Sequence, residues 1–378
     1  MRLPSWFADR AEPDAPAETE IKVSTLELFF DLVFVFTITQ LTALLTDGLD
    51  WESALRVVLV FGVQWWMYSG YVWLTNAIPP VRPARRILVL LGMTGFLIMA
   101  LAIPTVFEGG FAFAIGYLLL ILVHAGLYLQ STAAFSRVVP YNLAGTALIA
   151  AASLFDGPWN YVLWAAAVVL LYGSPYFIGQ KGFPLKPGHI VERHGLLVII
   201  ALGESMLAIG IGAHGQADLP TLVAAVLGMA LAACLWWWYF GGDDEVGAEH
   251  ALAASDPERR TKLILRVYFY GHVLILLGVL GIAAGIKKVI DEPLAGLKPG
   301  AAVVLAVGAV LFLAGHSWFR RSLGLADSPL RPAAAGLAAV SAALGLWSAT
   351  AQLAMLVVVL AGVLAVESRH DMARKLPS

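Results

Sequence analysis

Apolar side chains run along this chain in stretches of about 20 residues, the length a helix needs to cross a bilayer, separated by short polar connectors. The stretches fall at 25–46, 52–75, 86–107, 111–136, 141–155, 159–179, 190–213, 219–240, 262–288, 299–319, 332–346 and 348–366, which predicts twelve spanning helices. The fifth is short. The last two lack a polar connector, so their joint at Leu346 and Trp347 must be tight. The longest polar stretch, GGDDEVGAEHALAASDPERRTK (241–262), predicts a short amphipathic helix from about Val246 to Ala254 and reads best as a solvated connector.

Composition points the same way. Of 378 residues, 60% are hydrophobic and 13% are charged, against about a quarter charged in soluble chains. The fold class is therefore an all-α polytopic membrane protein. A net charge of −2 supplies no general attraction to nucleic acid. The one cysteine, Cys234, excludes a disulfide within the chain and a cysteine-based zinc site.

Lysine and arginine orient the spans. With the N-terminus inside, twenty of the 24 basic residues fall on the inner side, and only Arg56, Lys287, Lys288 and Lys298 fall outside. This predicts a multi-pass protein of the cell inner membrane with both termini cytoplasmic. Residues 1–24 form a polar tail without the basic-then-apolar order of a signal peptide, and 368–378 form a second tail.

Similar segments recur six spans apart. QWWMYSGYVW (64–73) and LWWWYFGGDD (235–244) set Trp65, Trp66, Tyr68 and Gly70 against Trp236, Trp237, Tyr239 and Gly241 at one offset. ELFFDLVFVFTITQ (27–40) and ERHGLLVIIALGES (192–205) pair Glu27 with Glu192 and bring Gln40 beside Glu204. HAGLYLQ (124–130) and HSWFRR (316–321) each follow a histidine with aromatic and polar residues. An even separation preserves direction, so the expected architecture is two parallel six-helix repeats, at 25–180 and 181–367, with any site near their interface. The competing reading of the aromatic match is that Trp and Tyr gather at membrane interfaces.

Ionisable groups inside spans are costly and default to function when they lie deep. Glu27 and Asp31, four residues apart on one face, sit in the first turns of the first span. The helix dipole accounts for Glu27. Asp31, among phenylalanines, calls for a cation such as Arg193 or Lys22, or for a function. Glu204 is the deepest acid, roughly 21 Å along the seventh span, among Gly203, Gly210 and Gly212, which allow close helix approach. His124, His272 and His316 also fall within spans. Each alone reads as a hydrogen-bonded core histidine; together with Glu204 they suggest a proton or cation path. Gln40, Gln64 and Gln130 can line a cavity, and Arg56 and His194 can pair or snorkel near helix starts.

No enzyme motif is found. Ser205 lies in G-E-S-M rather than in a G-x-S-x-G elbow, no phosphate-binding loop occurs, and no His-x3-His spacing supports a metal. The expectation is a non-enzyme without cofactor or metal.

STLELFFDLVFVFTITQLT (24–42) and ERHGLLVIIALGESMLAIG (192–210) resemble the two signature segments of the bacterial low temperature requirement protein A (LtrA) family, and the resemblance runs from about residue 20 to 367. It implies a polytopic inner-membrane protein of a family named for a growth phenotype in the cold. The positions that match its motifs are Glu27, Asp31, Gln40, Glu192, Arg193, His194, Gly203, Glu204 and Ser205. FFDLVFVFTIT (29–39) is also similar to the first-helix segment of a potassium channel family built from six-helix repeats. Phe30 replaces that family's serine, and Leu196 stands where the second aspartate would fall, so ion selectivity does not carry over.

The function expected is a secondary transporter or permease, proton-coupled, with acids of the first and seventh spans lining the route. A cation channel and a membrane protein for lipid handling or cold adaptation are the alternatives. The partners expected are the lipid bilayer and a small solute or ion, with a homo-oligomer left open and nucleic acid excluded.

Overall fold

The computed structural model describes residues 23–128, 136–179 and 181–375. Lys22, Gln130 and nearly all of the expected N-terminal tail lie outside the described residues. The described chain is helical: α1 Thr25–Gly48, α2 Trp51–Ala77, α3 Pro83–Ala102, α4 Ala112–Tyr128, α5 Val139–Ala152, α6 Pro158–Ile178, α7 Pro187–Gly212, α8 Leu219–Phe240, α9 Asp244–Ala253, α10 Pro257–Ile264, α11 His272–Asp291, α12 Pro299–Ser322, α13 Leu330–Gly345 and α14 Ala349–Lys375. A π-helical segment, Leu265–Gly271, joins α10 to α11 without a break.

Among the described residues, nine helical stretches are long and apolar enough to cross a membrane, and Ala112–Leu127, Val139–Ala152 and Leu330–Gly345 are shorter apolar helices. Each of the twelve predicted segments overlaps one of these helices, but among the described residues the fourth, fifth and eleventh are shorter than a span needs. The helix expected near Val246 is α9. The last helix runs past 366 to Lys375, into the expected C-terminal tail.

Local chemistry explains the helix starts. Pro83, Pro158, Pro187, Pro257 and Pro299 open helices, where a missing N–H costs nothing and φ is already suitable. Asp218 caps α8 by accepting from Thr221 N at 2.9 Å. Asp256 caps α10 by accepting from Arg259 N at 3.0 Å and Glu258 N at 3.1 Å. Those backbone donors, Arg259 first, hold the exposed Asp256 carboxyl below the ordinary carboxylate range.

The chain divides into two compact units: 1–40, 56–196 and 252–262, and 41–55, 197–251 and 263–378. In the first, α3 packs on α4, and α5 on α6. Gly95 and Gly116 let the α3 and α4 backbones touch, since a methyl on either would fall 2.9 Å from the other's carbonyl oxygen. In the second unit α11 packs along α12. There a methyl on Gly278 would meet Phe312 N at 2.6 Å, and one on Gly308 would meet Ile282 N at 2.7 Å. Small residues at helix contacts are the usual means of association where lipid competes for every apolar face. Leu97, Leu101, Leu122, Val169 and Val226 point outward, as lipid-facing residues must.

Candidate functional site

Three helices of the first unit each contribute a pair of polar side chains one or two turns apart. Glu27 and Asp31 come from α1, Tyr68 and Thr75 from α2, and His189 and Arg193 from α7. All are buried, and Arg193 has no exposed surface. Its Nη1 donates to Glu27 Oε1 at 2.9 Å and to Thr75 Oγ1 at 2.6 Å. Its Nη2 donates to Asp31 Oδ1 at 3.0 Å, and Tyr68 Oη donates to the same oxygen at 2.9 Å. The guanidinium lies 5.5 Å from the Phe30 ring centroid and 5.9 Å from that of Tyr68. A flat, delocalised cation suits such a place, because its faces meet aromatic rings while its edge binds carboxylates.

The rim is fixed by shorter contacts. Ser24 donates through N and Oγ to Glu27 Oε2, and Glu27 N donates back to Ser24 Oγ at 3.3 Å. This is a reciprocal cap on α1. His189 Nδ1 faces the amide nitrogen of Asn76 at 3.2 Å. Asn76 Nδ2 only donates, so Nδ1 accepts and the ring proton is on Nε2. That Nε2 lies 3.1 Å from Glu27 Oε1, an electrostatic contact without hydrogen-bond alignment.

Counting charges, one guanidinium faces two carboxylates. Among the described residues, Asp31 Oδ2 is buried and meets no hydrogen-bond donor. A cleft of about 620 Å³ opens along Ser24, Glu27, Pro80 and Arg86 and reaches Glu27 from the surface of the unit. The arrangement can hold a fixed cation and two anions away from water, and it leaves one acceptor free for a proton or a small cation.

Of the two cations considered for Asp31, Arg193 is the one observed to reach it. Glu192, one residue earlier, is exposed and accepts from Val23 N at 3.2 Å. His194 is buried, with Nδ1 2.8 Å from Ile190 O and its ring edge-on to Trp65. Gln40 is half-buried. Gln64 accepts from Thr37 Oγ1 at 2.6 Å. Arg56 donates to Tyr161 Oη at 2.8 Å. His124 packs on Tyr71, with ring centroids 5.1 Å apart. Sequence reading missed His189, Tyr68, Thr75 and Asn76. The S-x-x-E spacing of Ser24 and Glu27 and the four-residue step from His189 to Arg193 were the available signals.

The second unit holds Glu204, buried on α7, and a polar cluster of its own. His316, fully buried on α12, has Nδ1 3.0 Å from Arg331 Nη1 and Nε2 3.3 Å from Asp244 Oδ2. Arg331 only donates, so the ring proton of His316 points to Asp244. Arg320 also binds Asp244. Arg331 pairs with Glu367 at 2.9 and 3.1 Å and lies 4.7 Å from the Trp238 ring centroid. His272 Nδ1 donates to Val267 O at 3.0 Å, and its Nε2 accepts from Tyr239 Oη at 2.8 Å. Trp65 and Trp66 are buried, whereas Trp236 and Trp237 are 43% and 53% exposed; the matching segments share the tyrosine's burial and differ at the tryptophans. Among the described residues, no three His, Cys, Asp or Glu side chains are grouped to hold a metal.

Comparison with known proteins gives two matches. The model of the bacterial low temperature requirement A protein (LtrA) family matches residues 22–366. An uncharacterized protein of Rhizobium meliloti (strain 1021), RA0937, is 29% identical over 327 residues, covering 80% of this chain and 78% of that protein.

Proposed function

This chain belongs to the bacterial low temperature requirement A family of apolar, multi-helix membrane proteins, and from that premise we propose that it is a secondary transporter or permease coupled to protons or a small cation. The observation that carries this reading is the buried cluster of Arg193 with Glu27 and Asp31, in which one carboxylate oxygen is left open. Burying an unbalanced charge is expensive, and a fold that does so at a family signature gains a place where a proton or cation binds and leaves. Arg193 positions both acids. Asp31 is the exchanging carboxylate, and Glu27, on the cleft, is its link to the surface. Glu204, buried further along α7, is a second proton-carrying carboxylate in this reading.

The finer topology belongs to the same proposal: twelve spans in two parallel six-helix repeats, in the inner membrane, with both termini cytoplasmic. The skewed distribution of basic residues supports the orientation. The repeat is supported by the recurring Trp-Trp-x-Tyr segments, in which Tyr68 and Tyr239 are both buried.

The test is flux in proteoliposomes that carry an internal pH dye, with an imposed pH gradient and sodium, potassium or mixed amino acids outside. Protein-dependent, saturable proton movement is expected. It should be lost in Asp31→Asn, reduced in Glu204→Gln and retained in Glu192→Gln, with melting curves confirming that each variant is folded. Unchanged flux in folded Asp31→Asn removes Asp31 from the mechanism. Steady single-channel currents in a planar bilayer would replace the transporter with the channel.

A further inference from the structure

The second unit carries a cleft that the Arg193 cluster does not explain. It has a volume of about 380 Å³ and lies among the π-helical segment, α12 and α13. We propose that it binds the phosphate-bearing headgroup of an anionic phospholipid.

The argument begins with the π-helical segment Leu265–Gly271. A π turn shifts the backbone bonding pattern and frees carbonyls that need other donors. Side chains supply them: Trp318 Nε1 donates to Arg266 O at 3.0 Å, and His272 Nδ1 to Val267 O. The Trp318 ring also lies 5.7 Å from the Arg266 guanidinium. One indole therefore fixes both the backbone and the charged head of Arg266 at the cleft.

The charge pattern leaves that head available. Arg331, which also lines the cleft, is engaged by Glu367 and His316. Arg321 spends Nε on Asp327 at 2.6 Å, and its side chain is 62% exposed. Arg266 pairs with no carboxylate among the described residues. Two guanidinium-bearing side chains, Arg266 and Arg321, thus line one opening together with Ser317 and Ser322. Paired guanidinium donors are the usual recognition chemistry for phosphate oxygens.

The apolar part of the wall selects the source of the phosphate. One turn inward on α12 the lining becomes Leu313 and Ala314, and α13 adds Ala335. Along the same face of α12, Val310 and the exposed Val307 and Val303 continue an apolar stripe. A free phosphate has no use for that stripe, whereas an acyl chain does. Basic pockets between spanning helices with an apolar continuation suit acidic lipid headgroups.

The experiment is native mass spectrometry of the full-length, detergent-purified protein titrated with phosphatidylglycerol or phosphatidylcholine. Phosphatidylglycerol adducts should be retained preferentially. Arg266→Gln should weaken retention roughly fivefold, the loss of one basic residue near a lipid phosphate, and Arg266→Lys should restore most of it. Arg266→Gln with Arg321→Gln should abolish the preference. Equal retention of phosphatidylcholine, or unchanged phosphatidylglycerol binding in the double variant, would overturn the proposal. Displacement of the lipid by millimolar inorganic phosphate would overturn the lipid source and give the cleft to the free anion.

Discussion

Arg193 and Asp31 stand 162 residues apart in the chain and meet at 3.0 Å, each with a side chain at 0% exposure. The pair is held by three helices, and its value lies in its completeness. Removing the cation strands two buried carboxylates. Arg193→Gln is therefore expected to cost about 3–5 kcal/mol, read as a fall in thermal midpoint in detergent. Arg193→Lys should recover only part, because one ammonium cannot fork between Glu27 and Asp31. Combining Arg193→Gln with Asp31→Asn should cost less than the sum of the two. Additive losses would show that the two groups do not act as a unit.

Tyr68 and Tyr71 separate a charged from a neutral hydrogen bond on the same helix. Tyr68 Oη donates to the Asp31 carboxylate, and Tyr71 Oη to the Leu120 carbonyl at 3.0 Å. Tyr68→Phe should cost about 1.5–3 kcal/mol and Tyr71→Phe about 1 kcal/mol. Equal effects in chemical denaturation would deny Asp31 its place as an ionised acceptor.

Helix contact in the second unit depends on glycine. Gly278→Leu or Gly308→Leu drives a side chain into a facing backbone and should cost at least about 1–3 kcal/mol, seen as poor recovery of folded protein by fluorescence-detected size exclusion. Gly336 on α13 has nothing within 4 Å of an added methyl. Gly336→Ala should be neutral or stabilise by up to about 1 kcal/mol. A loss at Gly336 matching that at Gly278 would refute the contact argument.

The cap of α10 predicts a pH effect with a definite sign. The Asp256 carboxyl titrates lower in the folded protein than in the unfolded chain, so its contribution is full above the unfolded value of about 4 and is lost as pH falls through the folded value. Hydrogen exchange over 257–264, corrected for its intrinsic pH dependence, should be slow at neutral pH and rise only in acid. Asp256→Ala should exchange fast throughout. A variant that keeps the acid-triggered step would clear Asp256 of the role.

Much of this protein is readable from its sequence, for a physical reason. A helix in lipid must satisfy its own backbone, so an apolar run of sufficient length is a helix whatever surrounds it. The positions of the apolar helices and the shared face of Glu27 and Asp31 follow from local periodicity and length. Family membership was also legible, through the two segments that carry Asp31 and Arg193. What periodicity cannot supply is the rotation of one helix against another. That rotation turns Arg193 into the cluster and Glu192 out of it, and it brings His189, Tyr68 and Thr75 to the same point from helices far apart in the chain. The π turn before His272 was equally hidden, since its freed carbonyls are satisfied by Trp318 and His272 only after the helices have packed. The sequence by itself determined a multi-helix membrane protein with acids in its first span. Tertiary packing decided which cation those acids meet, because buried charge is tolerated only where several helices together surround it.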